Sequence, residues 1–256
     1  MAVLLKADSI SKSFGGVNAL SDVNLDIMDD EILGIIGPNG AGKTTLFNVL
    51  TGFYTPTSGK VLYRGKDMTG KPVDEMNRVG LARTFQNIRL FNAMTVVDNL
   101  VVGMHANIKQ GLTNILFRNA QFKKTEKMAY DKAMEILEYL GIEDVAQELA
   151  GNLSYGQQRK VEIGRALASD PEIVLLDEPS AGMNPQEAIE LMSLIKGIRD
   201  RGPAVILIEH NMRLVMGVSD RVAVLNFGKK IADCSPEEAQ NDPQVIEAYL
   251  GKREDC

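Results

Sequence analysis

Residues Gly37 to Thr44 read GPNGAGKT and match the pattern G-x-x-x-x-G-K-[ST] in full. Each residue type has a chemical reason. Gly37, Gly40 and Gly42 let the backbone curl until several N–H groups converge on one anion. A helix starting near Lys43 adds the positive end of its dipole. The Lys43 ammonium is a mobile point charge for β- and γ-phosphates, and the Thr44 hydroxyl is placed to ligate Mg²⁺. Asn39, Ala41 and Thr45 complete the cradle. The full motif, set between an apolar run and a helical one, argues against a turn that merely joins the two.

A second group of residues suits hydrolysis. Ile173 to Pro179, IVLLDEP, is four apolar residues followed by two acids. The apolar part reads as a central strand, which puts the acids at its C-terminal edge, where open parallel sheets bind ligands. Asp177 would hold Mg²⁺, directly or through water. Glu178 would polarise a water for in-line attack on a γ-phosphate. Routine acids at an exposed strand end are the alternative. A third feature is LSYGQ, residues 153–157. Ser154 and Gly156 stand just before the helical run QQRKVEIGRAL and form a second anion site at a helix N-terminus. Simple capping by Ser154 is the other reading.

These residues need a scaffold that brings them to one place. Residues 1–36 read as strands separated by Gly-Gly and Asp-Asp turns, with a nearly all-apolar run from Glu31 to Ile36. TTLFNVLTG reads as a helix ending at Gly52, and GKVLYRGKDMTG as a further strand-like segment. From Val97 to Gly151 the chain turns helical. Ala129, Ala133, Ile136, Leu137 and Leu140 recur at helical spacing within 124–140. Strand patterns return in EIVLLDEP, PAVILIEH and RVAVLNFGKKIADC, with helical segments at 157–168 and 185–200. Alternating β and α segments imply a parallel sheet covered by helices. Near the end, DPQVIEAYLG reads as a short helix with Asp242 as N-cap, Pro243 at its first position and Gly251 at its end.

Composition narrows the function classes. The net charge of -6 argues against a bulk polyanion binder, so no nucleic acid is expected. Cys234 and Cys256 give neither metal spacing nor a disulfide framework, which fits a reduced, cytosolic compartment. The N-terminus lacks the long apolar stretch of a signal peptide. No run approaches the length that spans a bilayer, so a membrane role must come through a partner.

The order GPNGAGKT, RTFQNIRLF, LSYGQQRKVEIGRAL, IVLLDEPSAGMNP, ILIEHNM resembles the ATP-binding cassette (ABC) ATPases over nearly the whole chain. The resemblance implies an α/β fold: a P-loop NTPase (RecA-like) core with an antiparallel β subdomain and a helical subdomain. One domain would cover 1–256, with 1–97 and 160–256 as core and 98–159 as the helical part. ATP and Mg²⁺ are the implied ligands. In this family the LSYGQ turn binds the γ-phosphate held by a partner subunit, so two cassettes close head-to-tail. Gln86 resembles the glutamine that ligates Mg²⁺ and senses the γ-phosphate; by itself it reads as a surface loop residue. His210 resembles the histidine that holds the attacking water with Glu178. Lys43 completes the catalytic set. Phe14 resembles the aromatic that stacks on adenine, a core aromatic being the alternative. Tyr155 replaces the usual glycine of the turn. In SAGMN, Asn184 replaces the more usual aspartate of the loop that couples the two sites, and Ala181 and Met183 read as packing.

LTGFYTPTSG, GLARTFQNIRLFNAMTVVDNLVVGMH and the late AYLG are similar to ATPases of bacterial branched-chain amino-acid importers. That branch implies a second ABC ATPase subunit, sister or self, integral-membrane permease subunits and, indirectly, a substrate-binding protein. The location implied is the cytoplasmic face of the cell membrane. Ile88, Leu90, Phe91 and Met94 are candidates for a permease groove or for internal core. The stretch 107–119 either grazes the membrane or packs on its own subdomain. A non-transport ABC-type ATPase, a soluble switch or one acting on nucleic acid, is the main rival. An ATP-binding module without turnover and a small-molecule kinase are weaker ones, given Glu178, His210 and LSYGQ.

Overall fold

The computed structural model describes residues 2–104 and 120–250. The strands are β1 Val3–Phe14, β2 Val17–Met28, β3 Ile32–Ile36, β4 Ser58–Tyr63, β5 Lys66–Asp67, β6 Leu81–Arg83, β7 Ile173–Asp177, β8 Ala204–Ile208, β9 Arg221–Asn226 and β10 Lys229–Cys234. The helices are α1 Lys43–Leu50, α2 Val73–Arg78, α3 Val96–Met104, α4 Ala120–Leu140, α5 Tyr155–Leu167, α6 Pro185–Asp200, α7 Met212–Val218, α8 Pro236–Asn241 and α9 Pro243–Leu250.

Two sheets follow from two hydrophobic patterns. The alternating N-terminal runs form an antiparallel sheet of order β2-β1-β4-β5, its first hairpin turned by Gly15 and Gly16 at positive φ. The near-continuous apolar runs form the second sheet, β10-β9-β3-β8-β7-β6, parallel from β9 to β6 with β10 antiparallel at the edge. Every residue of β3, β7 and β8 is buried, as both faces of a covered parallel sheet require. Leu33, Ile35, Leu175 and Ile206 point to one side, against Ile27 of β2 and Leu46 and Phe47 of α1. Ile32, Ile36, Val174 and Leu207 point to the other, against Leu191 and Ile195 of α6 and Leu214 and Val215 of α7.

A third core lies among helices. Leu100 and Met104 of α3, Ala133, Leu137 and Leu140 of α4 and Val161 of α5 pack together. Ile136 of the expected stripe is half-buried against this group. Helix α5 serves two cores, because Val161 faces the helices while Ile163 packs against the sheet. The helical packing therefore runs from Val96 to Ala168, past 98–159 at both ends. Asp242 Oδ1 accepts from the Gln244 N–H at 2.7 Å, which caps α9; Gly251 and the stretch 107–119 lie outside the described residues. Strand β6 and helix α2 have no counterpart in the sequence reading, since elements this short carry no periodic signal. Among the described residues no helix is long and apolar enough to cross a membrane.

Ile35→Ala empties a fully buried position between the two sheets. The expected cost is about 2–5 kcal/mol of unfolding free energy. A urea titration showing less than about 1 kcal/mol would contradict that packing.

Candidate functional site

The parallel strands deliver their following loops to one edge. β3 runs into the Gly37–Thr44 loop, β7 ends on Asp177, β8 is followed by Glu209 and His210, and β6 leads to Gln86.

The glycine loop is shaped by close approach. Gly37 and Gly42 have φ of 150° and 102°. A methyl group on Gly37 would lie 2.1 Å from the Leu225 carbonyl oxygen, and one on Gly42 would lie 2.6 Å from that of Ala19. Only glycine fits where β9 and β2 press on the loop from two sides. The Gly228 N–H donates to the Ala41 carbonyl at 3.0 Å, closing the clamp. At Gly40 nothing lies within 4 Å of an added methyl, so that side is open. Asn39 and Gly40 are exposed there.

Helix α1 is capped by Gly42, with no side chain bonded to its first amides. Those N–H groups and the dipole favour an anion. Lys43 is buried, and its Nζ donates to the carbonyls of Gly37 at 2.7 Å and Pro38 at 3.0 Å. Burial pushes the Lys43 pKa below the ordinary lysine value, and the Glu178 carboxylate pulls it back up. Thr44 and Thr45 occupy the first turn of α1, exposed and half-buried.

Three residues far apart in sequence meet at the strand edge. Gln86 Nε2 donates to Glu178 Oε2 at 2.8 Å, and His210 Nδ1 lies 3.7 Å from the same oxygen. Glu178 has φ of 45°, a left-handed conformation that costs a non-glycine residue energy and recurs at functional sites. Its N–H donates to the Ile208 carbonyl at 2.9 Å, which fixes the turn out of β7. Asp177 is buried, and its Oδ2 accepts from Arg83 Nη2 at 2.8 Å. Among the described residues no cluster of three His, Cys, Asp or Glu could hold a metal ion. The donors that the sequence reading names for a metal are the oxygens of Asp177, Thr44 and Gln86. That hard, sparse set suits Mg²⁺ arriving with phosphates rather than a resident metal cage.

Other residues sit apart. Ser154 and Gly156 line a cavity of about 520 Å³ with Met183 and Glu187, and no residue of the Gly37–Thr44 loop reaches it. Helix α5 begins at Tyr155, so Gly156 lies inside the first turn rather than before it. The cause is a capping box: Ser154 Oγ accepts from the Gln157 N–H and Gln157 Oε1 from the Ser154 N–H. Asn184 is likewise the N-cap of α6, paired with Glu187, which is a local reason for its identity. Phe14 stands two-fifths exposed at the end of β1, edge-on to Tyr54 at 5.3 Å, so it is not core. Ile88, Leu90 and Met94 are half-buried; Phe91 is exposed, with the Arg165 guanidinium 5.8 Å from its ring centroid.

Two supporting residues escaped the sequence reading. Arg83 also donates to Asn48 Oδ1 and Thr51 Oγ1, between the rings of Phe47, Phe53 and Phe85. Glu209 is fully buried; it accepts from the N–H groups of Ser180, His210 and Asn211. In both cases the signal was a lone charge at the end of an apolar strand.

The family model described as ABC transporter matches residues 20–181. The chain belongs to the ABC transporter family. It is an ATP-binding ATPase with the fold of an ABC cassette. A second model, described as branched-chain amino acid ATP-binding cassette transporter, matches residues 229–255. The cassette is 46% identical over 250 residues to the high-affinity branched-chain amino acid transport ATP-binding protein LivG of Escherichia coli K12, covering 97% of this chain and 98% of that one. It is 43% identical to the corresponding protein BraF of Pseudomonas aeruginosa, with the same coverage. Among solved structures it is similar to a nucleotide-free ATP-binding cassette from an ABC transporter, at 36% identity and TM-score 0.85, covering 98% of this chain and 100% of that one. A cassette solved in its ADP conformation is similar at 35% identity and TM-score 0.86, with the same coverage.

Arg83→Ala leaves the buried Asp177 carboxylate without its cation. The expected loss is about 3–5 kcal/mol of stability by chemical denaturation. A loss under about 1 kcal/mol would show that Asp177 does not depend on Arg83.

Proposed function

We propose that this cassette is the ATP-hydrolysing subunit of a membrane importer for branched-chain or similar hydrophobic amino acids. The observation that carries the catalytic half is the convergence of Gln86 and His210 on Glu178 at the edge that also carries the glycine loop. The transport half rests on near full-length similarity to branched-chain amino acid transport proteins and on the C-terminal match at 229–255.

In this reading the amides of Gly37–Thr44 and the Lys43 ammonium hold the phosphates, while Phe14 stacks on the base. Lys43 exchanges its bonds to the Gly37 and Pro38 carbonyls for phosphate oxygens. Thr44, Asp177 and Gln86 would hold Mg²⁺, which would supply positive charge against the phosphates. Glu178 accepts the proton of the attacking water, and His210 orients it. Ser154 and Gly156, which line a cavity that no residue of their own glycine loop reaches, serve the nucleotide of a second cassette. Closure of two cassettes over ATP, and its release on hydrolysis, is the switch. Permease subunits dock beside Phe91, and through them the cassette sits at the cytoplasmic face of the membrane. A substrate-binding protein acts on the permeases, not on this chain.

Glu178→Gln should keep ATP binding and slow turnover by about 10²–10⁴. Cells deleted for the gene should lose uptake of labelled leucine, isoleucine or valine, and regain it with the wild-type chain but not with Glu178→Gln. Near-normal hydrolysis in the variant would remove Glu178 from the chemistry. Unchanged uptake in the deleted cells would overturn the transport assignment.

A further inference from the structure

Helix α5 contains a buried charged group that the hydrolysis chemistry does not use. Arg159 is completely buried, although arginine is rarely so without a dense set of partners. Its Nη1 donates to the Phe85 carbonyl at 2.7 Å and to Glu162 Oε2 at 2.8 Å. Its Nη2 donates to the Gln86 carbonyl at 2.9 Å and to the Tyr155 hydroxyl at 3.0 Å. Glu162, also buried, accepts from the N–H groups of Phe85 and Arg89. Burial raises the Glu162 pKa, and the Arg159 charge opposes that rise. The planar guanidinium thus spans two elements: the main chain of the Gln86 loop and the first turn of α5.

Tyr155 adds a third element. A methyl group on Gly182 would lie 3.4 Å from Tyr155 Cε1, so the ring rests on the Ser180–Asn184 loop. Gly156, its neighbour, faces Glu187 of α6, whose Oε1 would lie 3.1 Å from an added methyl. The Ser154 turn is therefore wedged between the Gln86 loop and the loop that leaves Glu178. The Gln86 side chain bonds Glu178 instead.

We propose that Tyr155 and Arg159 are positioning residues that lock the Ser154 turn to the main chain of the Gln86 loop, so that nucleotide displacing the Gln86 side chain also moves the turn. This inference rests on the reading of Gln86 as a nucleotide-responsive residue. One end of the lock is the main chain of Phe85 and Gln86, and the other is the first turn of α5, whose N-cap Ser154 serves a second cassette in the proposed function. A guanidinium fork holds both because its geometry is rigid and its bonds are charge-assisted.

The test is amide hydrogen exchange of the full chain, with and without a non-hydrolysable ATP analogue and Mg²⁺, read at residues 37–45, 85–90 and 153–160. In the wild type, nucleotide should alter exchange in all three segments. In Tyr155→Phe, which keeps the ring on Gly182 and loses only the hydroxyl, the response at 37–45 and 85–90 should persist. The response at 153–160 should fall about fivefold, as loss of one hydrogen bond implies. Arg159→Lys should uncouple the same segment, because an ammonium cannot fork; if that variant does not fold, Tyr155→Phe decides alone. An undiminished response at 153–160 in Tyr155→Phe would overturn the proposal. So would a wild-type chain that responds at 37–45 but not at 153–160. A chain with no response at 37–45 would overturn the nucleotide reading itself, and the proposal with it.

Discussion

The backbone approach at Gly37 governs this molecule. With the Leu225 carbonyl only 2.1 Å from where a methyl would stand, the chain leaving β3 must curl there, and no side chain is tolerated. The Ala19 carbonyl imposes the same limit at Gly42. The contacts come from both sheets, β9 on one side and β2 on the other. The antiparallel sheet is thus not an appendage: together with the parallel sheet it forms the mould for the glycine loop. Once the loop is set, α1 starts with no side chain capping its amides, and Lys43 bonds back to the Gly37 and Pro38 carbonyls.

Around that loop the polar groups divide into two kinds. Glu178 is half-buried and Gln86 and His210 are exposed, with both of them directed to the Glu178 carboxylate. Arg83, Arg159, Glu162 and Glu209 are largely or wholly enclosed and bond mostly to backbone or to an opposite charge. The second kind holds the loops on which the first kind rides. Interiors bury such groups only when their bonds are nearly complete, so each loop has one well-defined position. Helix α5 extends this stiffness outward, since its residues serve both the sheet core and the helical core.

Much of this was legible in the sequence because some chemistry dictates residue type locally. The glycine loop, the paired acids of IVLLDEP and the buried strands follow from short-range pattern. The convergence of Gln86 with Glu178 spans 92 residues, and only resemblance to a family suggested it. Arg83 and Glu209 showed only a lone charge at a strand end, and Arg159 showed no signal of its own. Each has a partner 94, 73 or 29 residues away, and a charge does not announce so distant a mate. Capping explains the remaining differences. The box at Ser154 starts α5 two residues earlier than the hydrophobic pattern does, and the box at Asn184 gives that residue a local task.

The central claim is that the loop moulded at Gly37 and closed by Lys43 is where ATP binds. Equilibrium titration of Mg-ATP against the wild-type chain and Lys43→Ala tests it most directly. Loss of a charge-assisted phosphate contact should weaken binding roughly ten- to a hundredfold while the fold is retained. Equal affinity in the two chains would contradict the account, because the nucleotide would then be held somewhere other than the loop that the two sheets shape.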